Sequence, residues 1–182
     1  MKILRSGFLL FLLLSILTGI VYPLLVTGLG ELFFPKKIAG SFIVHDGKTI
    51  GSMLIGQKFT DPRYFWGRPD TYDPLASGGS NLGPLNPILI DRVKIRVTLL
   101  QQYPVKAGRV PVDLVTASAS GLDPHISPAG ALYQADRIAS VRGLSVEKVR
   151  ELIHTHIEPR QFKIFGEPRV NVLQLNMSLD KI

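Results

Sequence analysis

The stretch from Ser6 to Gly30 carries no charged residue and is mostly Leu, Ile, Val and Phe, and it constrains the fold more than any other part of the chain. About 20 apolar residues rising ~1.5 Å each cross a hydrocarbon core of about 30 Å, so this stretch reads as one membrane span. A secretory signal has a shorter apolar core, about 7 to 15 residues, ending in a small-residue cleavage site. Here the exit, Val26-Thr27-Gly28-Leu29-Gly30, offers only Gly28 and Gly30, which favours a retained anchor. Pro23 lies inside the span and removes one backbone donor. A kink or a neighbouring helix must then satisfy the freed carbonyl, so Pro23 marks an expected contact with a partner helix.

The basic residues Lys2 and Arg5 precede the span, whereas Lys36 and Lys37 follow it beyond Glu31. The first pair flanks the apolar run directly, which predicts a cytoplasmic N-terminus and an extracytoplasmic body. Removing Lys2 and Arg5 from the 21 basic residues leaves 19 against 14 acids, a net +5 for the remainder. That excess is scattered, with no aromatic stripe and no nucleic-acid motif, and reads as solvated surface or lipid-headgroup contact. The chain has no cysteine, which removes disulfides, thiolate catalysis and Cys-ligated metal. The expected organisation is an anchor over 1–34 and a single compact α+β domain over 35–182, with a small sheet and about three helices.

Phe42–Val44 and Thr49–Gly56 read as extended runs joined at Asp46-Gly47. The next segment, Gln57–Asp73, crowds Phe59, Tyr64, Phe65, Trp66 and Tyr72 between Pro62, Pro69 and Pro74, so it is irregular. Its aromatics either pack on the domain itself or, Trp66 above all, anchor a partner. Leu75–Pro84 is a loop by composition. Gly78 and Gly83 have the spacing of a Walker loop, but Pro84 stands where its Lys belongs. Asn86-Pro87 is a helix entry leading into Ile88–Tyr103, with Leu89, Val93, Val97 and Leu100 on one face and Arg92, Lys94 and Arg96 on a solvated flank.

Val112–Ala117 reads as a buried strand running into Ser118–Pro128, the most informative polar stretch. Ser118 or Ser120 as nucleophile, His125 as base and Asp123 as orienter would make a hydrolase. The G-x-S-x-G elbow is missing, however, and Asp123 and His125 are close in sequence for a triad. The competing readings are a hydrogen-bonded turn and a partner contact through Asp123 and His125. Helices are expected over Pro128–Arg142, capped by Ser127 and ended by Gly143, and over Val146–Ile157, capped by Ser145. His154 and His156 diverge by about 200° on a helix and cannot share a metal; no metal site and no catalytic residue is expected. Val170–Leu179 alternates as a last strand, one face presenting Gln174, Asn176 and Ser178.

The run Val115-Thr116-Ala117-Ser118-Ala119-Ser120-Gly121-Leu122-Asp123-Pro124-His125-Ile126-Ser127-Pro128 resembles the C-subunit family of the Kdp potassium-transporting P-type ATPases. So do Ser52–Phe59, Tyr64–Pro69, Ser77–Asn81 and Gly166–Leu173, in the family's order. The resemblance implies a noncatalytic accessory subunit of a bacterial inner-membrane complex for potassium uptake. Its partners would be a channel-like potassium-binding subunit, an ATP-hydrolysing P-type subunit and a small single-span subunit. It also implies a stabilising role and a catalytic chaperone's role that raises the ATP affinity of the hydrolysing subunit. If ATP touches this chain, Ser77, Gly78 and Gly79 are where it would bind, with Gln174 as a second candidate.

Overall fold

A computed structural model describes residues 2–45, 47–103 and 108–182. The chain divides into two compact units, Met1–Ile50 and Gly51–Ile182. In the first, α1 (Lys2–Ile16), a π-helical turn (Leu17–Val21) and α2 (Tyr22–Phe33) join into one apolar helix, long and apolar enough to cross a membrane. The wide turn stands immediately before Pro23, where the missing N–H and the ring would otherwise crowd the preceding carbonyls. Thr18 donates its hydroxyl to Leu14 O at 2.7 Å in the same region. A short helix α3 (Pro35–Ile38) follows, and then β1 (Phe42–His45) and β2 (Lys48–Ser52) pair as a ribbon. Gly47 in the turn has φ 74°, as a hairpin turn requires; Asp46 lies outside the described residues.

Among the described residues, the second unit holds five helices and a three-stranded antiparallel sheet in the order β3-β5-β4, with α5 (Pro128–Tyr133) and α8 (Val172–Leu179) packed on its central strand. The strands are β3 (His125–Ile126), β4 (Ile157–Glu158) and β5 (Arg169–Asn171), the last in the centre. Helix α4 (Pro87–Gln101) begins at Asn86, whose side chain accepts from Ile88 N. Helix α5 (Pro128–Tyr133) begins at Ser127, which accepts from Gly130 N, and α7 (Val146–Thr155) at Ser145, which accepts from Lys148 N. Each cap satisfies a donor that the first turn leaves free. Gly143 ends α6 (Ala135–Arg142) at φ 68°, the left-handed stop expected of glycine there.

Three expectations are corrected. Val112–Ala117 is not a strand: Val112–Leu114 is a single 3-10 turn, and Thr116 bonds back to Val112 O through both its N–H and its hydroxyl. The helix expected over Pro128–Arg142 is two, α5 and α6, meeting at Gln134, whose side-chain amide is committed to neighbouring backbone. The last strand stops at Asn171. Its side chain accepts from Gln174 N and starts α8 (Val172–Leu179), which buries Val172, Leu175, Asn176 and Leu179 at helical spacing.

The core gathers Phe65, Leu114, Ile138, Val149, Ile153, Val170, Leu175 and Leu179, all fully buried. Phe65 and Trp66 come from the irregular segment, at 0 % and 3 % exposure, so the aromatic stretch packs on its own domain. An irregular segment in a core must have its backbone satisfied by something other than a ladder. Two buried side-chain amides do this. Asn176 accepts from Phe65 N at 2.8 Å and donates to Phe65 O at 3.0 Å. Gln134 does the same for Trp66, at 2.8 and 3.0 Å.

Candidate functional site

The stretch from Ser118 to Pro124 is where the loops of the second unit converge. Four of its carbonyls, those of Ser120, Gly121, Leu122 and Pro124, take donors from elsewhere in the unit. Ser120 O accepts from Gly78 N at 2.8 Å and from the Ser77 hydroxyl at 3.0 Å. Gly121 O accepts from Tyr72 N, Leu122 O from Gly56 N and Pro124 O from Val172 N. The approach is close enough to demand glycine. A Cβ on Gly56 would stand 2.6 Å from Asp123 O, and Gly121 combines φ 70° with a would-be Cβ 2.8 Å from Gly78 O. Asp70 braces the turn by accepting from Ser118 N at 2.7 Å and from the Ser118 hydroxyl at 2.6 Å, while Ser118 Oγ accepts from Gly121 N.

Four arginines brace the unit by donating to backbone carbonyls of other segments, Arg68 and Arg96 between the aromatic segment and the chain that leads into this turn, Arg137 and Arg142 between α6 and the aromatic segment. Arg68 reaches Thr116 O and Ala117 O. Arg96 reaches Leu114 O and Gly67 O, so of the basic residues expected on a solvated flank of α4 this one is turned inward, over Trp66. Arg142 reaches Arg63 O and Leu179 O and pairs with Asp180 at 2.7 Å. Arg137 donates to Pro62 O and Tyr64 O and stacks 4.1 Å from the Trp66 ring centre. Burial pulls the Arg137 guanidinium down to about 10, since low dielectric disfavours its charge.

Beside β3 opens a cleft of about 340 Å³ walled by Arg68, Asp113, Asp123, His125, Ser127, Glu167 and Arg169. Arg68 and Asp123 also line a second recess of about 500 Å³ next to Leu54, Ile55 and Ser118–Ser120. Arg68 stands 3.6 Å from Asp123, and His125 Nδ1 is 3.4 Å from the same carboxylate. Burial pushes the Asp123 carboxyl up, but the hydrogen bonds from the His125 ring and backbone and the charge of Arg68 outweigh it and hold the carboxyl below its ordinary value. Asp123 is therefore ionised at neutral pH. The cleft presents charges of both signs, a lining suited to seating a polar or charged segment.

Asp123 and His125 thus come together at one cleft, half-exposed, while Trp66 lies in the core and Pro23 in the N-terminal unit. A hydrolase would need Ser120 within hydrogen-bond reach of His125. Ser120 Oγ instead accepts from Leu122 N and lies 3.4 Å from Ser118 Oγ, and the His125 ring faces Asp123. Ser77 and Gly78 spend their donors on Ser120 O, and Gly79 packs on the backbone of Ser118 and Ala119. That arrangement does not fit a phosphate cradle, which needs backbone donors aimed at a ligand. Gln174 sits apart, in the first turn of α8. Sequence reasoning missed Asp70, Arg68, Arg96, Gln134 and Arg137. Their partners lie 18 to 75 positions away, and no local pattern announces such bonds.

Fold and site together define a class: an apolar N-terminal helix followed by a small α+β body that carries a charged cleft. Residues 4–181 match the family described as KdpC, the c chain of K+-transporting ATPase. The chain is 58 % identical to the potassium-transporting ATPase KdpC subunit of Polaromonas naphthalenivorans, with 100 % of this chain and 95 % of that protein covered. It is 54 % identical to the protein of that name from Dechloromonas aromatica, covering 99 % and 97 %, and 53 % identical to the one from Methylococcus capsulatus, covering 98 % and 97 %. The chain belongs to the KdpC family.

Proposed function

We propose that this chain is a noncatalytic accessory subunit of an ATP-driven potassium-uptake complex, and that it stabilises the assembled complex. Its partners in this reading are a channel-like potassium-binding subunit, an ATP-hydrolysing P-type subunit and a small single-span subunit. The helix crosses the bacterial inner membrane with its N-terminus in the cytoplasm, and its π turn and Pro23 pack against a partner helix. The body lies outside, with the Asp123–His125 cleft turned to the channel-like subunit, where it restricts how ions enter.

The observation that carries this reading is the spent chemistry of the Ser118–Pro128 turn in a member of the KdpC family. The donors and hydroxyls that could have served catalysis or phosphate binding are engaged within the body, whereas the charged cleft stays open. As a catalytic chaperone, the subunit raises the ATP affinity of the hydrolysing partner through subunit contact, since cytoplasmic ATP does not reach an extracytoplasmic body.

The test is the potassium-stimulated ATPase of the assembled complex, measured with and without this chain and with Asp123→Asn or His125→Ala in the cleft. Omission is expected to reduce recovery of the intact complex and to raise the KM for ATP. The two substitutions are expected to weaken copurification of this chain with the channel-like subunit. A complex lacking this chain that is recovered in full, with an unchanged KM, would overturn the proposal.

A further inference from the structure

The segment after β4 is a small finger whose tip contributes nothing to the core. Gln161 and Phe165 pair as an antiparallel bridge, each N–H donating to the other's carbonyl at 2.9 Å, and Ile164 N closes the turn on Gln161 O. The two central residues, Phe162 and Lys163, have φ of 53° and 64°. That is the conformation of a type I′ turn, which Asn and Gly adopt cheaply and a Phe-Lys pair does not. The strain presents side chains outward: Phe162, Ile164 and Phe165 are 79, 73 and 63 % exposed. Lys163 stands among them, while Arg160 behind it is paired with Glu167 at 2.6 Å.

Three large apolar side chains around one cation, held on a closed turn, suit the region between headgroups and acyl chains. Aromatic and aliphatic tips gain there by leaving water, and a Lys meets anionic headgroups. The chain's own anchor keeps such a surface within reach. Only residues 34–50 separate the end of the apolar helix from the second unit, a connection of at most ~60 Å even if fully extended. We propose that the Gln161–Phe165 finger dips its tip into the interface of an anionic bilayer and so forms a second, reversible membrane contact. The proposal rests on the reading of Lys2–Phe33 as a membrane span.

The absence of cysteine allows single spin labels on the full chain in vesicles of phosphatidylethanolamine and phosphatidylglycerol. Labels at Phe162→Cys, Phe165→Cys, Leu75→Cys and Leu14→Cys are compared for collisions with oxygen, which concentrates in lipid, and with a water-soluble nickel chelate. Leu75 is an exposed loop position of the body and serves as the aqueous reference. Both finger labels are expected to show a several-fold higher oxygen-to-nickel ratio than Leu75, and Lys163→Glu is expected to lower it toward the Leu75 value. A finger as open to nickel as Leu75, with Leu14 lipid-exposed, overturns the proposal alone. Protection of the finger from both reagents overturns it in favour of a protein contact. Nickel access at Leu14 overturns the span reading, and the proposal with it.

Discussion

Asn176 shows how far a single side chain can act as a piece of secondary structure. At 2 % exposure it gives Phe65 the donor and acceptor that a neighbouring strand would supply. An apolar residue of similar volume fits the space but orphans two buried backbone groups, each worth about 1 to 3 kcal/mol. Asn176→Leu is expected to lower the unfolding free energy by about 3 kcal/mol, measured by urea denaturation followed at the buried Trp66. Sequence reading placed Asn176 on the exposed face of a strand, because alternation of Leu, Gln, Leu, Asn and Met is as good a strand pattern as it is a helix buried on several sides.

Elements with chemical end signals were legible, and those without were not. Asn86, Ser127, Ser145 and Gly143 mark helix ends by their own side-chain or backbone chemistry, and each stands where the sequence put it. The Asn171 cap carries the same signal, but it was hidden inside a run that reads as continuous strand. Asn171→Ala is expected to cost about 1 to 2 kcal/mol, from loss of the cap on α8 and of the bond to Met53 O, and to reduce helical circular dichroism before global unfolding. The turn at Ser118–Pro124 was legible as polar and structured. Its role as the acceptor row for Gly56, Tyr72, Gly78 and Val172 was not, because those donors come from segments that share no periodicity with it.

At the scale of the whole body, stability should follow the charge state of its cleft. The Asp123 carboxyl is more acidic in the folded body than at its ordinary value of 3.8. Its ionisation therefore stabilises the fold above that value, and the contribution is lost as pH falls through the lower folded value. The midpoint of thermal unfolding is expected to drop as the pH falls below the ordinary carboxylate value of 3.8, and Asp123→Asn to flatten that part of the profile while lowering the plateau at neutral pH. An unchanged acid limb in Asp123→Asn would assign the loss to other carboxylates. The family and the α+β layout behind a long apolar helix were legible across nearly the full chain, whereas the placement of Trp66 and Arg96 emerged only from packing.

The π turn at Leu17–Val21 has a geometric corollary for the apolar N-terminal helix. One additional residue in a turn advances everything beyond it by ~100° relative to a regular α-helix. Positions eleven apart, such as Leu13 and Leu24, would share a side of an unbroken helix; across this turn they do not. A straight neighbour aligned with one stripe of Lys2–Ile16 therefore meets a different stripe on Tyr22–Phe33, and the helix offers two separate addresses along its length in place of a single continuous seam.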